Sequence, residues 1–533
     1  MGDEPGGERG PALIDAAQAT DIDGPPTGRT LQIVMGALML CLLLSALDQT
    51  IVATALPTIV GDLGGLDQIS WVVTAYLLSS TVSVPLFGKI SDLYGRKVML
   101  QITIAIFLLG SVLAGVAQTM PQLILARGVQ GVGGGGITAM TFTILGDILS
   151  PRQRGKYVGY FTGVFASASV IGPLVGGFFV DHVSWRWVFL VNLPLGAVAM
   201  VVAARYLHIH TTVRPHSIDL IGAFLLTISV TAVLLASSWG GREYAWGSPQ
   251  IIGLFVTGVV LAVAFLLQER RAHEPILPLR LFGDRVFSVC IAMSALLGSV
   301  VVGVSTFLPL FLQVVSGASA TTSGLLLVPM MAGVVVGSNV CGRLVHRTGR
   351  YKAFPIIGTA VAVVGLVLLS SIEVATTRLF ISVAMGVVGV GLGSSIPIMT
   401  LAVQNTAPAA DMGAATSSVN FFRTLGSALG VAVFGTVLSV RLDDTLQELL
   451  PGTSLTTDES LLSSPEAIRD LPSAQYNAVA EGVANGVAMV FLVALPLVVI
   501  AFALAWLLRE VPLRDDLSVP AASVEGLEEA GAV

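Results

Sequence analysis

The stretch GKISDLYGRK, Gly88 to Lys97, is a short charged segment between two apolar runs, each long enough to cross a bilayer. It reads as a tight cytoplasmic loop between transmembrane helices. A weaker echo, GRLVHRTGRY from Gly342 to Tyr351, lies about 254 residues downstream in the same kind of setting, as expected of a duplicated unit. His346 stands in the echo where Asp92 stands in the first copy.

Working outward from these loops, hydrophobic residues make up 54% of the chain and charged ones 11%, with a mean hydropathy of +0.86. No water-soluble domain of this length has that composition, so the chain is expected to be an all-α integral membrane protein. A net charge of -6 and scattered basic residues exclude a nucleic-acid-binding surface. Cys41, Cys290 and Cys341 lie far apart in apolar runs without metal-ligand spacing, and read as core filling. Residues 1–30 lack the basic start and apolar core of a cleaved signal, and read as a disordered cytoplasmic tail.

About fourteen apolar runs follow, the last from about Asn485, each close to the ~20 residues a helix needs to span ~30 Å of hydrocarbon. With alternating sides from a cytoplasmic N-terminus, about twenty of the 27 Lys and Arg fall in cytoplasmic segments, which places both termini there. Further echoes support the duplication. LARGVQGVGGGG (Leu125 to Gly136) matches VAMGVVGVGLG (Val383 to Gly393), and IGPLVG (Ile171 to Gly176) matches LGSALG (Leu425 to Gly430). Repeats in the same order imply two parallel six-helix halves, residues 31–209 and 285–508, with two extra helices between them in 215–270. Residues 441–482 are expected to form a long extracytoplasmic loop, and 509–533 a cytoplasmic tail.

The loop motif, LDQTIVATALPTIVGDL in the first run, LILARGVQGVGGGG in the fourth, GPLVGG in the fifth and WRWVFLVNLPLG in the sixth together resemble the major facilitator superfamily. More narrowly, they resemble its fourteen-helix branch of drug:proton antiporters. The resemblance covers Leu31 to Arg509 and implies two six-helix bundles plus two central helices, in a multi-pass protein of the plasma or inner membrane. It also implies efflux of lipophilic or cationic compounds, such as drugs, in exchange for protons.

Asp48 lies well inside the first run, where an ionised carboxylate costs on the order of 2.5–3.5 kcal/mol on insertion scales. It is therefore protonated part of the time or faces a watery cavity, and either suits a proton carrier; the competing reading is a helix cap near Gln49 and Thr50. Arg127 in the fourth run needs a carboxylate or carbonyl partner, for which Asp48 is the candidate, or else snorkels to the interface. The repeat places Met385 at its position, so the fold does not itself demand a cation there. In the resembling family the matching arginine couples proton binding to substrate movement.

In the first loop Asp92 can accept from backbone amides at a helix start and pair with Arg96, while Gly88 and Gly95 allow close approach and a tight turn. The resemblance adds Asp147, at the end of the fourth helix, to this conformational latch; the alternative is that the basic residues merely set topology. Gly172, Pro173, Gly176 and Gly177 give the fifth helix a kink and a flat packing face, which the resemblance associates with antiporters. Asn420, Arg423 and Gln313 are candidates for lining a cavity.

The expected partners are protons, the bilayer and a small lipophilic or cationic substrate. No cofactor, nucleotide or nucleic acid is expected: the run Gly133 to Gly136 lacks the Lys and Ser/Thr of a phosphate loop, and the spans offer no nucleophile and base pair for an enzyme. Two alternatives are the export of a lipid or endogenous metabolite on the same scaffold, and a non-transporting membrane sensor.

Overall fold

A computed structural model describes residues 28–64, 68–207, 219–241, 243–318, 326–450, 468 and 471–513. Most of both expected tails, 1–30 and 509–533, lies outside these residues. Apolar runs form helices in hydrocarbon because only there can every backbone N–H and C=O be satisfied within the segment. The first half contains α1 (Gly28–Leu63), α2 (Ile69–Tyr94), α3 (Arg96–Gly115), α4 (Met120–Ile148), α5 (Pro151–His182) and α6 (Asn192–Tyr206), the last preceded by a short turn at Trp187–Leu190. α7 (Leu220–Trp239) and α8 (Pro249–Glu269) follow. The second half contains α9 (Arg285–Val314), α10 (Val328–Thr348), α11 (Ala353–Ser370), α12 (Arg378–Thr406), α13 (Met412–Leu449) and α14 (Ser473–Leu507). Among the described residues there is no strand beyond an isolated bridge at Gly240 and Tyr244.

Thirteen of these spans are long and apolar enough to cross a bilayer. The other long helix, α4, is diluted by Arg127, Gln130 and its glycines, yet it packs among α1, α2 and α3. Its glycines permit that fit. A Cβ at Gly131 or Gly135 would overlap the α2 backbone, and one at Gly133 would overlap α3 at Phe107. Sequence punctuation sets the helix starts: Ser150 and Ser248 cap α5 and α8 through their hydroxyls, each followed by proline in the first turn.

The expected loop 441–482 is corrected at both ends. α13 continues through the polar run to Leu449, and α14 starts at Ser473, twelve residues before Asn485. The reason is packing at four-residue spacing: Leu438 and Leu442 of α13 are buried against Gly486 and Gly482 of α14, and Leu446 continues the same stripe. The polar residues between them face outward, so apolar content alone understated both helices. Residues 451–467 lie outside the described residues.

α1–α6 and α9–α14 each gather around an apolar core. The pair α7–α8 leans on α2 and α13, thus on both halves. The halves meet where α2 packs on α13 and α5 on α10, at the end of the molecule that carries the Gly88–Lys97 stretch, hereafter the loop end.

Candidate functional site

Asp48 sits in mid-helix on α1 and Arg127 on α4, 0% and 2% exposed respectively, which excludes both a terminal cap and a snorkelling arginine. Arg127 Nη1 donates to Asp48 Oδ2 at 2.5 Å. Gln130, one turn further along α4, donates to Asp48 Oδ1 at 2.7 Å and to Ser111 Oγ on α3 at 2.8 Å. Asn192 on α6 donates to Asp48 Oδ1 at 3.0 Å and to Ser111 Oγ at 3.2 Å. Arg127 also donates to Gln130 Oε1 at 2.6 Å and to the Val72 carbonyl of α2 at 3.3 Å, and its guanidinium lies 4.3 Å from the Tyr76 ring centre.

One carboxylate thus collects three donors in a sealed site, the arrangement that compensates a buried charge. The sequence pairs Asp48 with Arg127 but misses Gln130, Ser111, Asn192 and Tyr76. Gln130 carried a signal, being a second polar side chain one helical turn from Arg127; Ser111 and Asn192 carried none.

Five helices supply these groups, and the sixth, α5, abuts them. Gly172 and Gly176 of α5 face Thr50 and Thr54 of α1, where a Cβ would overlap either threonine, and Thr50 Oγ1 donates to the Ala168 carbonyl at 3.0 Å. Gly177 meets nothing within 4 Å and takes no part in that face. Pro173 lies inside α5, beside the contact.

At the loop end, α2 and α3 are joined through the single residue Gly95, whose φ of 96° suits glycine alone. That turn brings Arg96 within 2.5 Å of Asp92 and 2.7 Å of Asp147, and Arg96 Nη1 donates to Ser91 Oγ at 2.7 Å. Asp92 also accepts from the backbone N–H groups of Gly413 and Ala414 at 3.0 and 3.1 Å. These are first-turn donors of α13 that have no partner within their own helix. The carboxylate therefore caps a helix of the other half, and Gly88 lies so close to Ser417 that a side chain there would overlap it. The residues expected to form a latch are in contact, about 30 Å along α4 from the buried ion pair at 1.5 Å per residue.

The echo loop closes the loop end differently. Arg152, in the first turn of α5, donates to the His346 carbonyl at 2.8 Å, and His346 Nδ1 lies 3.0 Å from the Arg152 carbonyl. Gly155 and Gly342 touch backbone to backbone. Gln404 of α12 donates to the Phe142 carbonyl of α4 at 3.0 Å.

Between the halves lies a cavity of about 1580 Å³. It runs from Arg154 and Gln404 near the loop end to Gly240, Glu243 and Trp246 at the opposite end. Phe142, Phe161, Phe165 and Phe307 give it aromatic walls. Asn420 and Arg423 line it, as expected from the sequence. Gln313 does not: the lining stripe of α9, Gly298, Val302, Thr306 and Leu310, stops one turn short of it. Asp48 and Arg127 sit behind the wall, whereas Gln49 and Thr74 beside them form part of it.

Residues 38–431 match the family model described as Major Facilitator Superfamily. The chain is 38% identical over 473 residues to the multidrug transporter protein MdtP of Bacillus subtilis strain 168, covering 85% of this chain and 87% of that one. It is 41% identical over 485 residues to the uncharacterized MFS-type transporter Rv1877 of Mycobacterium tuberculosis, covering 91% and 70% respectively. In fold it is similar to the proton:xylose symporter XylE, with a TM-score of 0.61 at 15% identity, covering 92% of this chain and 98% of that one.

Proposed function

From the premise that this chain belongs to the major facilitator superfamily, and so is a multi-pass membrane transporter and not an enzyme, we propose that it expels lipophilic compounds in exchange for protons. The observation that carries the reading is the sealed Asp48–Arg127 pair placed directly behind the cavity wall. The abundance of Lys and Arg at the loop end supports a cytoplasmic placement of that end. The structure then corresponds to a state closed to the cytoplasm, with the cavity reaching toward the outside.

In this cycle a proton arriving from outside neutralises Asp48 and loosens its hold on Arg127. Asp48 is held by α1, α3, α4 and α6 together, so changing its charge changes the packing of the first half as a unit. Separation of the halves at the loop end then requires Asp92 to leave the α13 N-terminus, while Arg96 remains held by Asp147. The cavity turns inward, Asp48 releases its proton to the cytoplasm, and substrate enters.

The test is export of a lipophilic fluorescent dye by protein reconstituted in vesicles under an imposed proton gradient. Transport is expected to need the gradient and to vanish in Asp48→Asn. Gradient-driven export that survives in the variant overturns the assignment of Asp48; export that ignores the gradient in the wild type overturns proton coupling altogether.

A further inference from the structure

The central cavity adjoins a side pocket. A second pocket of about 660 Å³ lies between the α7–α8 hairpin and α13–α14, and Ser237, Trp246, Ala432, Thr436 and Val440 line both spaces. The remaining walls of the side pocket are apolar apart from Arg441, and include Phe255, Val437, Met489 and Val493. Leu429 and Val433, also in its wall, are exposed on the bundle surface that faces hydrocarbon. The two spaces are thus neighbours across a shared wall, and the side pocket adjoins the lipid-facing surface beside the two helices that the duplication does not explain.

Charge defines what these spaces suit. Among the described residues lining the cavity the cations are Arg154 and Arg423, and the one acid is Glu243, at the far mouth. Arg154 donates to the Leu149 and Gly146 carbonyls and to Gln404 near the loop end. The guanidinium of Arg423, partway along α13, makes one hydrogen bond among the described residues, to Asn420 Oδ1 at 3.0 Å, and no described carboxylate lies within ion-pair distance of it. A guanidinium has five N–H donors in a fork shaped for an oxyanion, so most of its capacity is left for a ligand. A lipophilic cation would meet like charge here.

We propose that the substrate is an anionic amphiphile: a single-chain compound whose carboxylate, phosphate or sulfate head binds Arg423 and whose alkyl tail lies in the side pocket. Arg423 and Val433, in the wall of the side pocket, are about 15 Å apart along α13 at 1.5 Å per residue. That matches a membrane acyl chain, which reaches about half of the ~30 Å hydrocarbon core. The direction of movement rests on the efflux reading; the binding does not. On release the head leaves through the watery mouth while the tail slides between α8 and α13 into the membrane, so the chain never crosses water.

The experiment is binding to the full-length protein in nanodiscs of zwitterionic lipid, with empty nanodiscs subtracted. The probes are dansyl-undecanoate, a dansyl quaternary ammonium with the same chain, and dansyl-glycine as the short-chain anion. The undecanoate is expected to bind about tenfold or more tighter than the cation, to weaken about tenfold in Arg423→Gln and Arg423→Met, and to recover largely in Arg423→Lys. Val433→Trp, which crowds the side pocket from a position outside the central cavity's lining, is expected to weaken the undecanoate and leave dansyl-glycine unchanged. A melting transition confirms that each variant is folded.

Equal binding of anion and cation, or indifference to Arg423→Gln and Arg423→Met, overturns the anionic head. Equal effects of Val433→Trp on long and short probes overturn the tail path. Anion binding without gradient-driven flux overturns the transport reading and leaves this one standing; gradient-driven flux of dye without charge preference in binding does the reverse.

Discussion

The two halves of this protein place opposite chemistries at matched positions. In the first, Arg127 and Gln130 sit in a buried polar network. In the second, their repeat equivalents Met385 and Val388 are buried in an apolar core with Leu366 and Leu369. The hinge helices differ as well: Pro173 interrupts α5, whereas Ser427 of α13 donates to the Gly298 carbonyl of α9 at 2.9 Å. At the loop end an acid of the first half caps a helix of the second, whereas an arginine of the first half binds carbonyls at the end of a second-half helix. The same scaffold carries an ordinary apolar core at the ion pair's matched place in the second half. Buried pairs are seldom better than well-packed hydrophobes, which supports the proposed functional reading of the network.

The strongest way to break that comparison is to give the first half the residue of the second. Asp48→Asn leaves the Arg127 charge buried and uncompensated, at an expected cost of about 3–5 kcal/mol. Adding Arg127→Met is expected to restore most of the melting temperature in detergent while gradient-driven transport stays lost. A double variant no more stable than the single one would show that the network is needed structurally.

Next in size is the contrast between the two closures of the loop end. Asp92→Asn removes charge-assisted bonds to two amides and to Arg96, worth about 2–3 kcal/mol, and is expected to raise the open population roughly 30-fold or more. Arg152→Gln removes bonds to carbonyls and is expected to shift it about fivefold. Spin labels at Tyr94 and Ala410, on either side of the seam, read both populations; equal shifts would erase the distinction. Gly342→Ala, whose added carbon overlaps the Gly155 carbonyl, is expected to favour the open form by about 1–3 kcal/mol in the same measurement.

The smallest effect concerns Tyr351, which the second half uses to tie down the chain after α14. Its hydroxyl donates to the Arg509 carbonyl at 3.0 Å and accepts from Val511 N–H at 3.3 Å. Burial pushes it up to about 12. A raised value means that the protonated hydroxyl is favoured when folded, so its contribution is complete below the ordinary value near 10 and is lost as pH rises through about 12. Tyr351→Phe is expected to cost about 1 kcal/mol at neutral pH and to flatten the alkaline limb of the melting profile.

Much of this was legible from loops and from intramembrane charges, because a charge in hydrocarbon demands an explanation in a way that an apolar residue does not. Asp48 and Arg127 stood out for that reason, Asp92 and Arg96 through the loop motif and Asp147 through the family resemblance, and each is in contact with its expected partner. Neutral polar residues were hidden. Asn192 follows an apolar stretch, and nothing local says that it reaches Asp48, 144 positions earlier. Arg152 carries no sequence signal, because its partner is a backbone carbonyl, which every sequence contains. The ends of α13 and α14 were missed because helix–helix burial of Leu442 and Leu446 outlasts the hydrocarbon-length apolar run.

Asn192 also has a loose end: its side-chain oxygen is buried and has no hydrogen-bond partner. While Asp48 is ionised, the amide can only offer it N–H, and the oxygen goes unused. Once Asp48 carries a proton it becomes a donor, and a half-turn of the Asn192 amide presents that oxygen to it. Under the proposed cycle the side chain would then take one of two positions according to whether the acid is loaded. It sits at the start of α6, where a rotation of a few atoms reports occupancy to a whole helix.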